Sequence, residues 1–337
     1  MQNSDGPSPV LFFQTLTAYQ RSRAVQGALE LDLFTAIGAN GATAREVAAR
    51  CEASERGVRI LCDYLTVLGF LTKADDSYNL TTDSAAFLDR KSPAFAGGTA
   101  EFLLSAHLVE QFADVAAVVR KGGTLERGGT MAPEHPVWLS FARGMGAMMM
   151  PSAQALADIV PLDDMRETKV LDISASHGMW GLAFAQCHAR VTVVALDWAP
   201  VLTVARENAD RMGLADRMTT LEGSAFDVDF GCDYDLVLLP NFLHHFDAPT
   251  CVGLLRKVHT ALREGGRVAI AEFVPNPDRV SPPEAATFSL VMLVSTDHGD
   301  AYTFAEFERM LTEAGFRGIE QHPLPPGVST AIVARKS

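Results

Sequence analysis

Val170-Leu171-Asp172-Ile173-Ser174-Ala175-Ser176-His177-Gly178-Met179-Trp180-Gly181 decides the fold of this chain. Its first four residues are an aliphatic run broken by one acid, which reads as a strand buried on both faces. Small residues follow, then an apolar helix over 182–187. The alternation continues downstream. A strand is expected over 191–196, a helix over 201–212, and strands over 218–221 and 235–239. A helix over 251–262 is expected to end at Gly265-Gly266, before a strand over 268–271. Strands alternating with helices imply an α/β fold with a parallel sheet covered on both faces. Thr303 with Glu306 is a capping-box signature for one more helix, which stops at Gly315. Two last strands near Ile319 and Ile332 flank the turn-rich run Pro323-Leu324-Pro325-Pro326-Gly327, so a terminal antiparallel hairpin is expected.

Upstream the pattern is different. Leu29, Leu31, Leu33 and Phe34 form an apolar patch, and Thr43 with Glu46 is a capping box. Val58, Leu61, Leu65 and Leu68 recur at helical spacing before Gly69, a C′ residue. Residues 70–72 and 78–80 flank Ala74-Asp75-Asp76-Ser77 as strand, turn and strand. Three helices and a hairpin outline a winged-helix module over 1–100. Residues 101–160 read as helical, with breaks at Gly122-Gly123, Gly128-Gly129, Pro133 and Pro136. Met145, Met148, Met149 and Met150 cluster there, either as core filler or as a pliable lining for an apolar ligand. Residues 161–337 hold the α/β domain.

At 337 residues the chain has room for roughly two domains of about 150 residues each. Hydrophobic residues make up 48% and charged residues 20%, an ordinary globular composition. A formal charge of −13 is poorly suited to phosphate backbones or anionic lipid surfaces. Arg56 and Arg59 are a thin basic face, offset by Glu55 and Asp63, which disfavours a DNA-binding regulator. The expected partners are a small molecule and a second copy of the chain, with no nucleic acid and no membrane. The five scattered cysteines lack C-x-x-C spacing, so neither a disulfide framework nor a zinc knuckle is signalled. The first residues lack a basic n-region, and a cytoplasmic location is expected.

In an open parallel sheet, ligands bind beyond the carboxyl ends of the strands. Three features fall there: the loop at 174–181, Asp197 at the end of the second strand, and Gly223-Ser224-Ala225-Phe226 after the third. An acid some 20 residues beyond the first loop suits ribose hydroxyls. The first loop lacks the G-x-G-x-x-G of a pyrophosphate cradle, and Asp172 would repel phosphate. S-adenosylmethionine (SAM) carries an ammonium and a sulfonium and no phosphate, so charge favours SAM over a dinucleotide.

The strings ALELDLFTAI, FARGM, VLDISASHG, VVALDWAPV, GSAF, NFLHHFD and AEFVP, in that order and spacing, together resemble one family. It is that of SAM-dependent small-molecule O-methyltransferases with an N-terminal winged-helix dimerisation domain, bacterial branch. The resemblance implies a class I methyltransferase Rossmann-like sheet. It sets Ser174 and Gly178 against the methionyl part of SAM, Asp197 at the ribose and Trp198 beside the adenine, while Asp172 joins the cofactor site on the charge argument. Ser224, Ala225 and Phe226 stand where the family has Asp-Met-Phe, and Ser174 and Ser176 where it has glycines.

The resemblance makes His244 the general base, with Cys251 seven residues on and Glu272 orienting the imidazole. His245 and Phe246 replace the family's Asp and Trp. The family's second glutamate falls near Ala301, with Asp300 as a candidate substitute. The acceptor pocket is expected to draw on Phe12, Phe13, Met145, Met149, Phe288, Val291 and Met292, an apolar set suited to an aromatic ring. A competing chemistry would gather a divalent metal on His244, His245 and His298 for C-methylation of an α-keto acid.

Overall fold

A computed structural model of the chain describes residues 6–131, 134–162, 165–327 and 329–337. Two compact units divide it, Met1–Ser105 and Ala106–Ser337. Pro133 lies outside the described residues.

The first unit runs α1 (Val10–Leu16), α2 (Ala18–Glu30), α3 (Leu33–Ile37), β1 (Ala42–Thr43), α4 (Ala44–Arg50), α5 (Glu55–Val67), β2 (Leu71–Ala74), β3 (Ser77–Leu80), α6 (Thr82–Phe87) and α7 (Thr99–Leu103). The capping box at Thr43 forms: Glu46 accepts its N–H and hydroxyl at 2.8 Å and donates its own N–H back. Gly69 ends α5 with φ 87°, and the Phe70 N–H closes on the Leu65 carbonyl. The expected hairpin is β2 and β3, and β1 adds a third strand beside β3. Leu33, Phe34, Ile37, Val58, Leu65 and Tyr78 fill the core. Leu31 does not join that patch; it follows the last turn of α2 and is exposed. Arg59 and Lys73 both pair with Asp63, so the Arg59 charge is matched within the unit. Helix α1 buries none of its residues.

The second unit opens with α8 (Ala106–Gln111), α9 (Val115–Lys121) and α10 (Val137–Ile159). Then come β4 (Thr168–Ile173), α11 (Met179–Cys187), β5 (Val191–Asp197), α12 (Ala199–Arg211), β6 (Met218–Glu222), β7 (Tyr234–Pro240), α13 (Ala248–Ala261) and β8 (Leu262–Glu272). It closes with α14 (Pro283–Ala286), α15 (Phe288–Ser295), α16 (Phe304–Glu313), β9 (Phe316–Leu324) and β10 (Ser329–Lys336). The strands form one sheet in the order β6-β5-β4-β7-β8-β10-β9. β6, β5, β4, β7 and β8 pair in parallel, and β10 runs antiparallel to both β8 and β9. The alternating pattern thus gives the expected sheet and terminal hairpin.

Every residue of β7 is buried, as its unbroken apolar reading requires. The expected end of the long helix at Gly265-Gly266 is wrong. α13 stops at Ala261, and the two glycines lie inside β8, where the pairing with β7 shifts between Tyr234 and Leu236. A glycine pair before a strand serves a bulge as readily as a helix stop. Among the described residues, no single helix is long and apolar enough to cross a membrane.

Candidate active site

The chain order 4-7 at the sheet centre is the point where successive connections diverge, and the carboxyl ends of β4, β5, β7 and β8 meet there. Asp172, Asp197 and Glu272 occupy three of those ends.

The loop after β4 is tightly wound. Ser174, Ser176 and Gly178 have φ of 58°, 53° and 75°. The family's glycines at the two serine positions thus have a conformational reason, because a left-handed non-glycine residue costs about 1–2 kcal/mol. The loop holds this shape through its neighbours. The Ser176 N–H donates to Asp197 Oδ2 at 2.8 Å, and the Ala175 N–H donates to the Leu196 carbonyl at 3.0 Å. Asp197 accepts a second backbone N–H, from Trp198, at 2.7 Å. Its carboxylate therefore builds the loop as well as facing it. Trp198 is the N-cap of α12.

Asp172 is fully buried. Oδ2 accepts the Gly181 N–H at 2.9 Å, whereas Oδ1 is buried with no hydrogen-bond partner. A Cβ on Gly181 would lie 2.6 Å from Val193 Cγ1 and 3.1 Å from Asp172 Oδ2, so glycine is required for this close approach. Burial pushes the Asp172 carboxyl up to about 7, with the charge of Asp197 adding to it and the Gly181 N–H opposing it. Asp197 is pushed up to about 6, again by burial. Two desolvated acids near one loop favour a cationic ligand. His177, in the same loop, is pushed down to about 4 by burial and accepts the Met179 N–H on Nδ1.

Past β6, Ser224 Oγ accepts the Phe226 N–H at 3.2 Å, Ala225 is buried, and Phe226 is part-exposed. Lys257 of α13 ties this loop down. Its ammonium donates to the carbonyls of Ala225 at 2.9 Å, Phe226 at 3.1 Å and Val228 at 2.6 Å. Sequence reasoning passed over Lys257, because a lysine one turn from a helix end is ordinarily a solvated one.

His244 sits in a 3-10 turn, Leu243–His245, just beyond β7. Glu272 ends β8, and both residues are buried. Glu272 Oε2 lies 2.5 Å from His244 Nδ1, and Oε1 accepts the N–H of Phe242 at 3.0 Å and of His244 at 3.2 Å. One carboxylate therefore fixes both the backbone of the turn and the ring it carries. A carboxylate only accepts, so Nδ1 carries the proton and Nε2 is left with its lone pair free.

Phe288 of α15 packs edge-on against this imidazole at 4.8 Å and stacks on Phe273 at 3.9 Å. Met149 of α10 receives the Asn241 side chain at 3.9 Å. Met145 and Met292 are buried, and Val291 is half-buried. Phe288 and Met149 thus stand beside the His244 turn. Met145, Val291 and Met292 lie on the same two helices, α10 and α15. Phe12 and Phe13 are exposed on α1 of the first unit.

Two readings of the neighbours of His244 are corrected. Asp300 does not replace the second family glutamate. Its carboxylate pairs with Arg279 at 3.0 Å and accepts the Ala301 N–H at 2.8 Å, while its backbone N–H donates to the His244 carbonyl at 2.9 Å. The three histidines do not form a ligand set either. His244 Nδ1 is committed to Glu272, the His245 ring lies edge-on to Trp138, and His298 is exposed. Among the described residues, the three histidine and acidic side chains that gather closely enough to hold a metal ion are His107, Glu126 and His135. His135 Nδ1 accepts the Val137 N–H, which leaves the proton on the nitrogen facing Glu126.

A mostly parallel sheet with acids at adjacent strand ends, beside a carboxylate-braced histidine, defines a Rossmann-like enzyme built for group transfer. The chain belongs to the O-methyltransferase family: residues 131–317 match the O-methyltransferase domain, and residues 13–90 match the O-methyltransferase dimerisation domain. It is 27% identical to the tetracenomycin polyketide synthesis 8-O-methyl transferase of Streptomyces glaucescens, over 98% of this chain and 97% of that protein. It is 28% identical to the 3-hydroxy-5-methyl-1-naphthoate 3-O-methyltransferase of Streptomyces sahachiroi, over 91% and 89%. A crystal structure from Nostoc punctiforme PCC 73102, assigned as an O-methyltransferase, is 52% identical with a TM-score of 0.94, covering 98% of this chain and 100% of that one.

Proposed function

We propose that this chain transfers a methyl group from SAM to a hydroxyl of a small aromatic acceptor, with His244 as general base, Glu272 as its orienting carboxylate and a homodimer as the working form. The observation that carries the reading is the 2.5 Å contact between His244 Nδ1 and Glu272 Oε2 at adjoining strand ends. It leaves Nε2 as the one basic nitrogen of a buried, pre-aligned ring.

The residues present fit SAM. Asp172 offers a buried carboxylate oxygen with no partner, and Asp197 a second desolvated carboxylate. Asp172, Ser174 and Gly178 would hold the methionyl end, Asp197 the ribose, and Trp198 with Ser224, Ala225 and Phe226 the adenine. SAM supplies an electrophilic methyl on a sulfonium. The protein's own part concerns the acceptor proton. A phenol with pKa near 10 would cost roughly 5 kcal/mol to ionise fully onto an imidazole near 6.5. His244 Nε2 avoids that cost by taking the proton while the oxygen attacks. Met145, Met149, Phe288, Val291 and Met292 would supply the apolar contact that orients the ring, with Phe12 and Phe13 added on assembly.

The test is His244→Ala. With a naphthol as acceptor, kcat should fall about 10²–10⁴-fold while the SAM dissociation constant stays within about twofold. With the same naphthol made acidic by a nitro group, the acceptor arrives ionised and the defect should shrink to a few-fold. A wild-type rate on the unsubstituted naphthol would rule His244 out as the base.

A further inference from the structure

We infer that Gly299 and Arg279 are positioning residues for the base, holding the His244 turn from the side opposite Glu272. The inference rests on His244 being that base. Three contacts from the segment after α15 converge on the turn. The Asp300 N–H donates to the His244 carbonyl at 2.9 Å, and the Tyr302 hydroxyl donates to the Phe246 carbonyl at 2.5 Å. Between them Gly299 lies flat against the turn. A Cβ there would stand 2.3 Å from the His244 carbonyl oxygen, 2.6 Å from Thr296 Oγ1 and 3.0 Å from the His245 carbonyl carbon. Two of those three atoms are backbone, which cannot swing aside as a side chain can. The φ of Gly299 is ordinary, so glycine is needed here for space alone.

The segment is itself anchored at both ends. The buried Thr296 hydroxyl donates to the Met292 carbonyl at 2.7 Å and accepts the Gly299 N–H at 2.8 Å, joining it to α15. At the other end Arg279 is the clamp. Its Nη1 donates to Asp300 at 3.0 Å, and its Nη2 reaches both carboxylate oxygens of Glu306, at 2.7 and 2.8 Å. Glu306 is also the capping-box acid of α16, accepting the N–H and hydroxyl of Thr303. Arg279 therefore sets where Asp300 lies, Asp300 bonds the His244 carbonyl, and Glu272 bonds the N–H and ring of the same residue. The imidazole is fixed between two independent supports, and loosening one lets Nε2 drift by fractions of an ångström. Displacements of about 1 Å can cost about 10²-fold in rate.

The experiment measures kcat on the naphthol and on its nitro derivative, with SAM affinity by calorimetry. For Gly299→Ala we expect kcat on the naphthol to fall about 10–100-fold, and on the nitro derivative less than about threefold. SAM affinity should stay within twofold. A loss equal on both acceptors would mark a general structural role and overturn the inference, as would no loss. Should Gly299→Ala fail to fold, Arg279→Ala decides, since its side chain is 43% exposed. It should give a smaller loss, about 3–10-fold, again confined to the naphthol, with partial recovery in Arg279→Lys. An unchanged rate, or a loss blind to acceptor acidity, overturns the inference. The His244→Ala control separates the two claims. If it lacks acceptor dependence, the base assignment itself fails; if it shows it and the positioning variants do not, only this inference fails.

Discussion

The two oxygens of Glu272 serve two different parts of His244: Oε2 meets ring Nδ1 at 2.5 Å, and Oε1 accepts the backbone N–H at 3.2 Å. That division predicts the effect of the nearly isosteric Glu272→Gln. The amide oxygen must take the Oε1 place, because two backbone N–H groups, of Phe242 and His244, point there. The amide NH₂ is then forced against Nδ1, a donor facing the nitrogen that held the proton. The ring responds by carrying its proton on Nε2, the tautomer that cannot act as a base. kcat on a high-pKa phenol should drop about 10²–10⁴-fold with SAM affinity within twofold. Near-normal turnover would show that Glu272 does not set the tautomer.

The reach of the sequence reading follows the range of the interactions. The sheet was legible because burial on two faces writes itself into contiguous runs such as Tyr234–Pro240. Both capping boxes were legible because four residues contain the whole interaction. His244 and Glu272 were found at strand ends through the resemblance. What escaped spans long separations or depends on backbone angle. Lys257 reaches carbonyls some 30 residues away, and the Asp300 N–H reaches His244 across 56 positions. The serines at 174 and 176 look merely small in the sequence, and only their positive φ shows why glycine would be the easier residue. Gly265-Gly266 reads equally as helix stop and as bulge, and pairing with Tyr234 and Leu236 decides it.

Asp172 makes a pH-dependent prediction. Its folded carboxyl is raised to about 7, so the folded protein holds a proton that the unfolded chain releases near 4. Its contribution to stability is complete below pH 4 and is lost as the pH rises through 7. Asp172→Asn removes that loss. Without SAM, its melting temperature at pH 8 should exceed wild type by a few degrees, at about 2–4 °C per kcal/mol for a domain of this size. The two proteins should converge towards pH 5. SAM binding should weaken about tenfold or more, the scale of a lost charged hydrogen bond. His177 pulls the other way below pH 6.5 in both proteins, and Asp197, raised to about 6, pulls the same way, so the difference between them reports Asp172 together with its coupling to Asp197. Parallel stability curves from pH 5 to 8 would contradict the assignment.

Helix α1 carries Val10, Leu11, Phe12, Phe13 and Leu16 at 51%, 76%, 61%, 58% and 55% exposure. Five large apolar side chains on a seven-residue helix call for a cover, and the dimerisation-domain match supplies a second copy as its source. Leu11→Asp with Phe13→Asp should raise the dimer dissociation constant by about 100-fold or more, since each burial is worth about 1.5–3 kcal/mol. Sedimentation velocity reads this directly. A monomeric wild-type protein at micromolar concentration would remove the homodimer.

Lys257 tests whether the loop at 224–226 belongs to the cofactor rather than to the acceptor. Its three ammonium hydrogens are spent on the carbonyls of Ala225, Phe226 and Val228, and its Nζ stands 4.2 Å from the Phe230 ring centroid. Lys257→Met keeps the apolar stem packed and deletes the donors. The carbonyls then turn to water, and the loop loses the bonds that hold Ala225 inward. Charged hydrogen bonds are worth about 1.5–3 kcal/mol each, and water recovers part of that here because Phe226 is part-exposed. If Ser224, Ala225 and Phe226 hold the adenine, the KM for SAM should rise about 5–20-fold, a loss of about 1–2 kcal/mol. kcat at saturating SAM should stay within about twofold, because His244 keeps its Glu272 brace and the loop meets the His244 turn through the Phe226 ring, packed against Phe242 and Phe246, rather than through the bonds to Lys257. The opposite pattern, a reduced kcat with an unchanged KM for SAM, would move the loop from the cofactor to the acceptor side of the site.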